Sequence, residues 1–269
     1  MAEAGRVDRW AAGNRYEPFI GRWSRVVARA FVAGLERPPG LAWVDVGCGT
    51  GALTGAVLEQ MAPRSVVGVD PSAGYLEYAR AHVPDDRAQF VVAGAQALPL
   101  EAASVDVAVA GLVLNFVPVP LEAVTEMARV VRPGGRVAAY VWDYAGGMQL
   151  LRAFWDAVTA LDPAAGTLDE GRRFPLCQPQ PLAELFRAAG LVDVTVGPID
   201  VPTPFRTFDE YWTPFLGGEG PAPGYTMTLD DARRDALRER LRAALPVQPD
   251  GSIHLTARAW AVRGRRPEA

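Results

Sequence analysis

One stretch restricts the folds open to this chain more than any other. Leu41-Ala-Trp-Val-Asp-Val46 is a short apolar run that ends in Gly47-Cys-Gly-Thr-Gly51. Ala52 to Met61 follows, with Leu53, Val57 and Met61 spaced to share one helix face. Strand, glycine turn and helix in that order open a parallel β/α unit. Glycines there let the backbone bend tightly and approach a ligand without side-chain clash. Such turns open onto the carboxyl edge of the sheet, where α/β proteins bind ligands. Amides at a helix start suit a carboxylate or a phosphate.

The alternation continues. Residues 65–70 read as strand two, and Pro71-Ser72 opens a helix to about Ala81 with Ser72 as N-cap. Residues 89–93, 105–110 and 136–142 read as strands three to five. Leu121, Val124, Met127, Ala128 and Val131 mark a helix ending before Pro133-Gly134-Gly135. Val- and Ala-rich runs without strict alternation suit strands buried on both faces. A parallel sheet with helices on both faces is expected.

Beyond residue 143 the pattern loosens. Leu151, Phe154, Trp155 and Val158 give a helix, residues 162–180 are loop-rich, 181–189 form a helix, and 192–196 read as strand six. Residues 202–250 leave the alternation, with Pro202, Pro204 and the aromatic series Phe205, Phe208, Tyr211, Trp212 and Phe215. Gly217 to Gly224 is turn-rich. Thr228-Leu-Asp-Asp231 resembles a capping box before a helix carrying Leu237, Leu241 and Leu245. Residues 252–262 alternate cleanly and predict a last, antiparallel strand. A further helix is expected from Ile20 to about Leu35, stopped by Glu36-Arg-Pro-Pro-Gly40. The organisation expected is one domain over 1–269. Its core is about 36–143, 181–201 and 251–265, with an N-terminal lid over 1–35 and a partly helical cap from 144–180 and 202–250.

Composition removes several chemistries. All 27 basic residues are Arg, which excludes a Schiff-base lysine, a P-loop lysine and a Tyr-x-x-x-Lys dehydrogenase dyad. Two cysteines, Cys48 and Cys177, and two histidines, His82 and His254, leave no disulfide framework and no His/Cys metal cluster. No metal is expected. The opening Met1-Ala-Glu-Ala-Gly-Arg6 lacks a signal-peptide core. The longest apolar run, about Val105 to Pro120, is broken by Asp106 and Asn115. A net charge of −4 argues against general nucleic-acid or anionic-membrane binding. The expectation is a cytoplasmic protein acting on a small molecule.

Asp70 lies at the end of strand two, 19 residues after Gly51. A carboxylate there can accept hydrogen bonds from both hydroxyls of a ribose, so glycine turn and acid together favour a bound adenosine. The dinucleotide fingerprint is G-x-G-x-x-G, whereas this turn is G-x-G-x-G. Asp45, two residues before Gly47, suits a cationic amine and is a poor neighbour for a pyrophosphate.

Asp45-Val-Gly-Cys-Gly-Thr-Gly51 with Val69-Asp70 resembles motifs I and II of class I S-adenosylmethionine-dependent methyltransferases. Ala97-Leu-Pro-Leu100 resembles the third motif, and Ala128 to Arg136 resembles the approach to strand five. The closest flavour is the small-molecule branch of type 11 and ubiquinone/menaquinone-biosynthesis-like enzymes. The resemblance covers about 40–143 well and 180–200 loosely. It implies a Rossmann-like α/β fold: a mostly parallel seven-stranded sheet with an antiparallel last strand. It also implies S-adenosyl-L-methionine as cofactor and S-adenosyl-L-homocysteine as product. Gly47, Cys48 and Gly49 would line the methionyl and ribose part, Asp45 would sit near the amino group through a water, and Asp70 would hold the ribose. Pro71 or Ser72 would border the adenine, and Ala95 and Gln96 would flank it. Gly111 and Leu112 would pass under the methionyl group. The chain departs from the pattern at Gly94, where many members carry Asp. Tyr16 to Ser24 resembles a segment that folds over the cofactor, and Arg22 is placed to meet its carboxylate.

Methyl transfer is an in-line displacement that needs alignment, exclusion of water and, only for a high-pKa nucleophile, a general base. Asn115, Asp143 and Tyr144 follow strands four and five on the substrate side. Phe205, Tyr211, Trp212 and Phe215 either wall the substrate or pack the cap. Competing readings are a catalytically silent cofactor-binding protein, allowed by Gly94, a nicotinamide-dependent dehydrogenase, and a methyltransferase acting on a macromolecule.

Overall fold

Seven strands form one sheet in the computed structural model, which describes residues 21–217 and 220–268. They are β1 Ala42–Val46, β2 Ser65–Asp70, β3 Ala88–Val92, β4 Val105–Gly111, β5 Val131–Trp142, β6 Val192–Phe205 and β7 Ile253–Arg265. Their order is β3-β2-β1-β4-β5-β7-β6. β1 pairs in parallel with β2 and β4, and β5 joins β4 in parallel. β7 runs antiparallel to both β5 and β6, as its alternation predicts. The order reverses between β1 and β4, so a crevice opens at the carboxyl ends of these two strands.

α1 Arg22–Ala33 precedes β1, and α2 Ala52–Met61, α3 Ala73–His82 and α4 Pro120–Val130 lie between strands. β1 and nearly all of β4 are buried, which explains their Val/Ala runs. Asp106, the acid inside β4, is neutralised locally. Its carboxylate accepts from the Ala42 amide at 2.7 Å and pairs with Arg132 at 2.6 Å. Ser72 caps α3 as expected, accepting from the Tyr75 amide at 3.3 Å.

Three boundaries differ from the sequence reading. β5 begins at Val131, because Val105 pairs with Val131 and Val107 with Arg136, so residues 132–135 bulge out of the ladder. β6 runs on to Phe205 through Pro198, Pro202 and Pro204. Among the described residues its one partner is β7, and the three even-numbered prolines share one side of the ladder, the open edge where no N–H is needed. The capping-box reading at Thr228 is also corrected. Asp230 caps the following helix, accepting from the Arg233 amide at 2.8 Å, while the Thr228 hydroxyl donates back to the Tyr225 carbonyl.

The stretch read as loop-rich contains a 3-10 turn, Pro163–Leu168, and one helical turn, α6 Glu170–Arg173. They are pinned to α5 Gln149–Leu161, where Arg152 pairs with Asp169 and the Trp155 indole donates to the buried Glu170. α7 Pro179–Ala188 leads into β6. Between β6 and β7 lie α8 Phe208–Trp212, α9 Pro221–Thr226 and α10 Asp231–Ala244. Phe215 stacks on Phe154 of α5 with centroids 4.5 Å apart, and the Tyr211 hydroxyl donates to the Leu150 carbonyl at 2.9 Å.

Candidate functional site

The glycine turn is fastened from below. The amides of Gly47 and Cys48 both donate to the Val69 carbonyl, at 2.7 and 3.0 Å. The Gly49 amide donates to Asp70 Oδ2 at 3.0 Å, and the Ser72 amide donates to Asp70 Oδ1 at 2.8 Å. Three turn amides are therefore consumed inside the fold. The expectation that turn amides receive an anion is corrected for Gly47, Cys48 and Gly49: their hydrogens are directed at β2 and Asp70.

Gly47 has φ +71°, and a Cβ built there would lie 2.4 Å from Val113 Cγ2. Only glycine fits. Gly49 has φ +51° and, among the described residues, no neighbour within 4 Å of its built Cβ, a face suited to an approaching ligand.

Asp45 sits wholly buried in β1. Thr54 Oγ1 donates to its Oδ2 at 2.7 Å, while Oδ1 has no partner among the described residues. Burial raises the Asp45 pKa to about 7, against the lowering effect of the Thr54 hydrogen bonds. Asp70 is also pushed up by burial and partly held down by its two amides. Burial pushes the Cys48 thiol well up, so thiolate chemistry is suppressed there.

Around these groups lies a cavity of about 210 Å³. Of the residues expected from sequence, Asp45, Gly47, Cys48, Gly49, Asp70, Gly111 and Leu112 line it. Gly51 lies behind it as the start of α2 with φ +85°. Pro71, Ala95 and Gln96 lie outside the lining. Gln96 is engaged elsewhere, its Nε2 donating to Glu122 at 2.6 Å. Arg22 is also turned away: it pairs with Glu210 at 2.7 Å and lies over the rings of Trp23 and Phe205. Tyr16 lies outside the described residues.

On the substrate side, Tyr144 lines the cavity. The Asp143 carboxylate instead accepts from the Gly146 and Gly147 amides, at 3.1 and 2.8 Å, and closes a turn. Phe205, Tyr211, Trp212 and Phe215 are buried in the packing of α5 and α8 and do not line the cavity. His82 stacks on Tyr78, and His254 contacts Ser252 at the surface.

Sequence reasoning missed Thr54, Tyr75, Phe116, Tyr140 and Trp142. Thr54 faces Asp45 only because one turn of α2 returns over β1. Tyr140 and Trp142 carried a usable signal, since alternate residues at the end of β5 face one side of the sheet.

Residues 44–139 match the family model described as a methyltransferase domain, from within β1 into β5. A malonyl-[acyl-carrier protein] O-methyltransferase of Methylococcus capsulatus is 33% identical over 142 residues, covering 52% of this chain and 51% of the relative. A demethylmenaquinone methyltransferase of Lactococcus lactis is 38% identical over 102 residues, covering 36% and 40%. The chain thus spans about half or less of the length of these curated relatives. A solved Bacillus halodurans structure described as a methyltransferase superposes with a TM-score of 0.59 at 14% identity, covering 89% of this chain and 98% of that one. That likeness is one of fold. With the glycine turn, the paired aspartates and the sheet order in place, residues 44–139 belong to the type 11 branch of the class I S-adenosylmethionine-dependent methyltransferases.

Proposed function

We propose that the chain binds S-adenosyl-L-methionine in the glycine-turn cavity and moves its methyl group to an O, N or C atom of a small molecule. One observation carries the reading. Among the described residues, the charged groups lining the cavity are two buried aspartates, with no Arg or His. Such a site favours a cation and disfavours a dinucleotide pyrophosphate. The free Oδ1 of Asp45 is suited to a ligand ammonium, and the open face of Gly49 beside Asp70 is suited to a ribose. When bound, the cofactor supplies an electrophilic methyl group on a sulfonium leaving group. The protein supplies alignment and a dry cavity.

In this reading the helices between β5 and β6, and between β6 and β7, act as a cap over a single domain. The second insertion starts at residue 206, since β6 continues to Phe205. A cytoplasmic enzyme with a small-molecule partner and no resident metal fits the same proposal. Among the described residues no helix is long and apolar enough to cross a membrane.

A second reading, binding without turnover, draws on one feature. Gly94 offers no carboxylate to an adenine amino group, and Gln96 is held by Glu122. Calorimetric titration with S-adenosylmethionine, S-adenosylhomocysteine and NADH tests both, with Asp70→Ala alongside. Micromolar binding of the sulfur ligands, weakened by the substitution and absent for NADH, is expected. A preference for NADH would sink the proposal, and binding with no transfer across an acceptor panel would favour the silent protein.

A further inference from the structure

Four arginines gather at the amino edge of the sheet, on the face that α1 covers. The register sets Arg136 of β5 directly opposite Arg265 of β7, and Ala138 opposite Arg263. Residues two apart along a strand share a face, so Arg136, Arg263 and Arg265 stand on one side. Tyr140 stands on that side too and packs on Phe31 of α1, with ring centroids 4.6 Å apart. Arg263 Nη1 donates to the Gly34 carbonyl at 2.9 Å, which ties β7 to the end of α1. Arg37 follows three residues after Gly34 and acts electrostatically on Arg136. Like charges directly opposite in a ladder repel.

The acids at this edge do not balance the arginines. Asp193 and Glu268 both pair with Arg265, at 2.8 and 3.7 Å. Arg263 directs Nε and Nη1 at neutral acceptors, Thr195 Oγ1 and the Gly34 carbonyl. Among the described residues, Arg37 Nε is buried without a partner, and the half-buried Arg136 side chain makes no hydrogen bond. Glu36, beside Arg37 in sequence, is exposed and forms no ion pair among the described residues. Burial, then the charges of Arg37, Arg263 and Arg265, hold the Arg136 pKa below its usual value, with Asp193 opposing them. Arg37, Arg136 and Arg263 thus share one edge without an acid of their own.

The chemistry of the missing counter-charge follows from that count. A carboxylate offers one negative charge and two coplanar oxygens, which suits a single guanidinium. A phosphomonoester offers close to two charges and three strong acceptor oxygens, enough to serve several guanidinium groups at once. Tyr140 and Trp142, which line the glycine-turn cavity, lie four and six residues further along β5. That separation is roughly 13–20 Å of strand. The arginines and the cavity therefore occupy opposite ends of β5.

We propose that Arg37, Arg136 and Arg263 form a binding site for a phosphoryl dianion, separate from the glycine-turn cavity. Arg37 and Arg136 donate to its oxygens, Arg263 adds Nη2, and the Arg265–Asp193 pair bounds the site. The proposal does not depend on what the glycine-turn cavity binds.

Inorganic phosphate tests it on the full chain at pH 7.5, by calorimetry and by melts in phosphate against chloride at equal ionic strength. Matching ionic strength separates binding from screening. Wild type should bind phosphate saturably, one per chain, and melt higher in phosphate than in chloride. Arg136→Gln should bind phosphate about tenfold more weakly. Arg37→Gln should do the same, and it keeps the test open if Arg136→Gln does not fold. Arg240→Gln, which removes an exposed arginine of α10, should leave phosphate affinity unchanged. Phosphatidylcholine vesicles with and without phosphatidic acid distinguish the source of the phosphoryl group. Sedimentation with phosphatidic acid alone, lost in Arg136→Gln, would assign a lipid headgroup. Phosphate binding without sedimentation would assign a soluble phosphomonoester. The proposal is overturned if wild type shows no saturable phosphate binding or melts identically in the two salts. It is equally overturned if the folded Arg136 and Arg37 variants keep wild-type affinity, or if Arg240→Gln weakens binding as much as they do.

Discussion

Asp45→Asn separates the charge of Asp45 from its shape. The amide oxygen can still accept from Thr54 Oγ1, which lies 2.7 Å from the carboxylate in the native chain. One buried negative charge is lost. A charge-assisted hydrogen bond to a ligand ammonium contributes about 1.5–3 kcal/mol, which is roughly 10- to 150-fold in affinity. The variant should bind S-adenosylmethionine that much more weakly at pH 7.5. The pH dependence has a definite sign. Burial places the Asp45 pKa at about 7, and a proton on Asp45 competes with the ammonium. Wild-type affinity should therefore fall toward tenfold per pH unit as pH drops below that value. An α-amino group ordinarily titrates at about 7.7–8.0, so the ligand stays largely cationic between pH 5.5 and 7.5. Free-protein stability runs the other way. Its folded pKa is raised above the ordinary 3.8. The contribution of Asp45 is therefore complete below that value and lost as pH rises through about 7. Asparagine removes the loss, so the variant should melt higher than wild type at pH 8. Calorimetry from pH 5.5 to 7.5 and melts at pH 5 and 8 measure both effects. Variant affinity within twofold of wild type, or a flat wild-type profile, would refute the assignment.

Asp70→Ala should lower both cofactor affinity and melting temperature, because it frees the Gly49 and Ser72 amides together; an unchanged melt would show the turn is held elsewhere. Glu170 is buried beneath Trp155, and burial lifts its pKa to about 7 from the ordinary 4.5, so it too favours the fold at low pH and loses that contribution as pH rises through about 7. Glu170→Gln should flatten the stability profile between pH 5 and 8, by on the order of 3 kcal/mol; denaturant melts at the two pH values read this directly. Gly47→Ala should be destabilising by at least about 1–2 kcal/mol from its positive φ alone, with the Val113 clash added, and thermal melts check it.

Much of the core was legible because its signals are local. A strand of Val and Ala, a glycine turn and an apolar stripe at helical spacing lie within twenty residues for β1 and α2. The unit therefore declares itself without reference to the rest of the chain. The same locality placed Asp45, Gly47, Gly49 and Asp70 together, since the ends of adjacent parallel strands meet by construction. The misreadings arose where pairing or packing decides. The bulge at residues 132–135 depends on how β5 meets β4. The run of β6 through three prolines depends on its place at the sheet edge. Arg22 reads as a ligand for an anion until Glu210, 188 residues away in sequence, claims it.

The acceptor side was the least legible for the same physical reason. Its lining is assembled from Phe116 of a 3-10 turn after β4, Tyr140 and Trp142 at the end of β5, and Tyr144 just beyond it, brought together only by packing. No spacing rule links Phe116 to Tyr144. Leu112, at positive φ, lies in that lining, whereas Asn115, whose side-chain amide is unmatched, lies outside it. In the cofactor half, by contrast, nearly every polar group is tied to a neighbour, and the exception, Asp45 Oδ1, is where a cation is expected. An unmatched group thus points to a ligand in the cofactor half of the cavity. The difference is that one half is built from a contiguous motif, while the other is built from side chains that become neighbours only after folding.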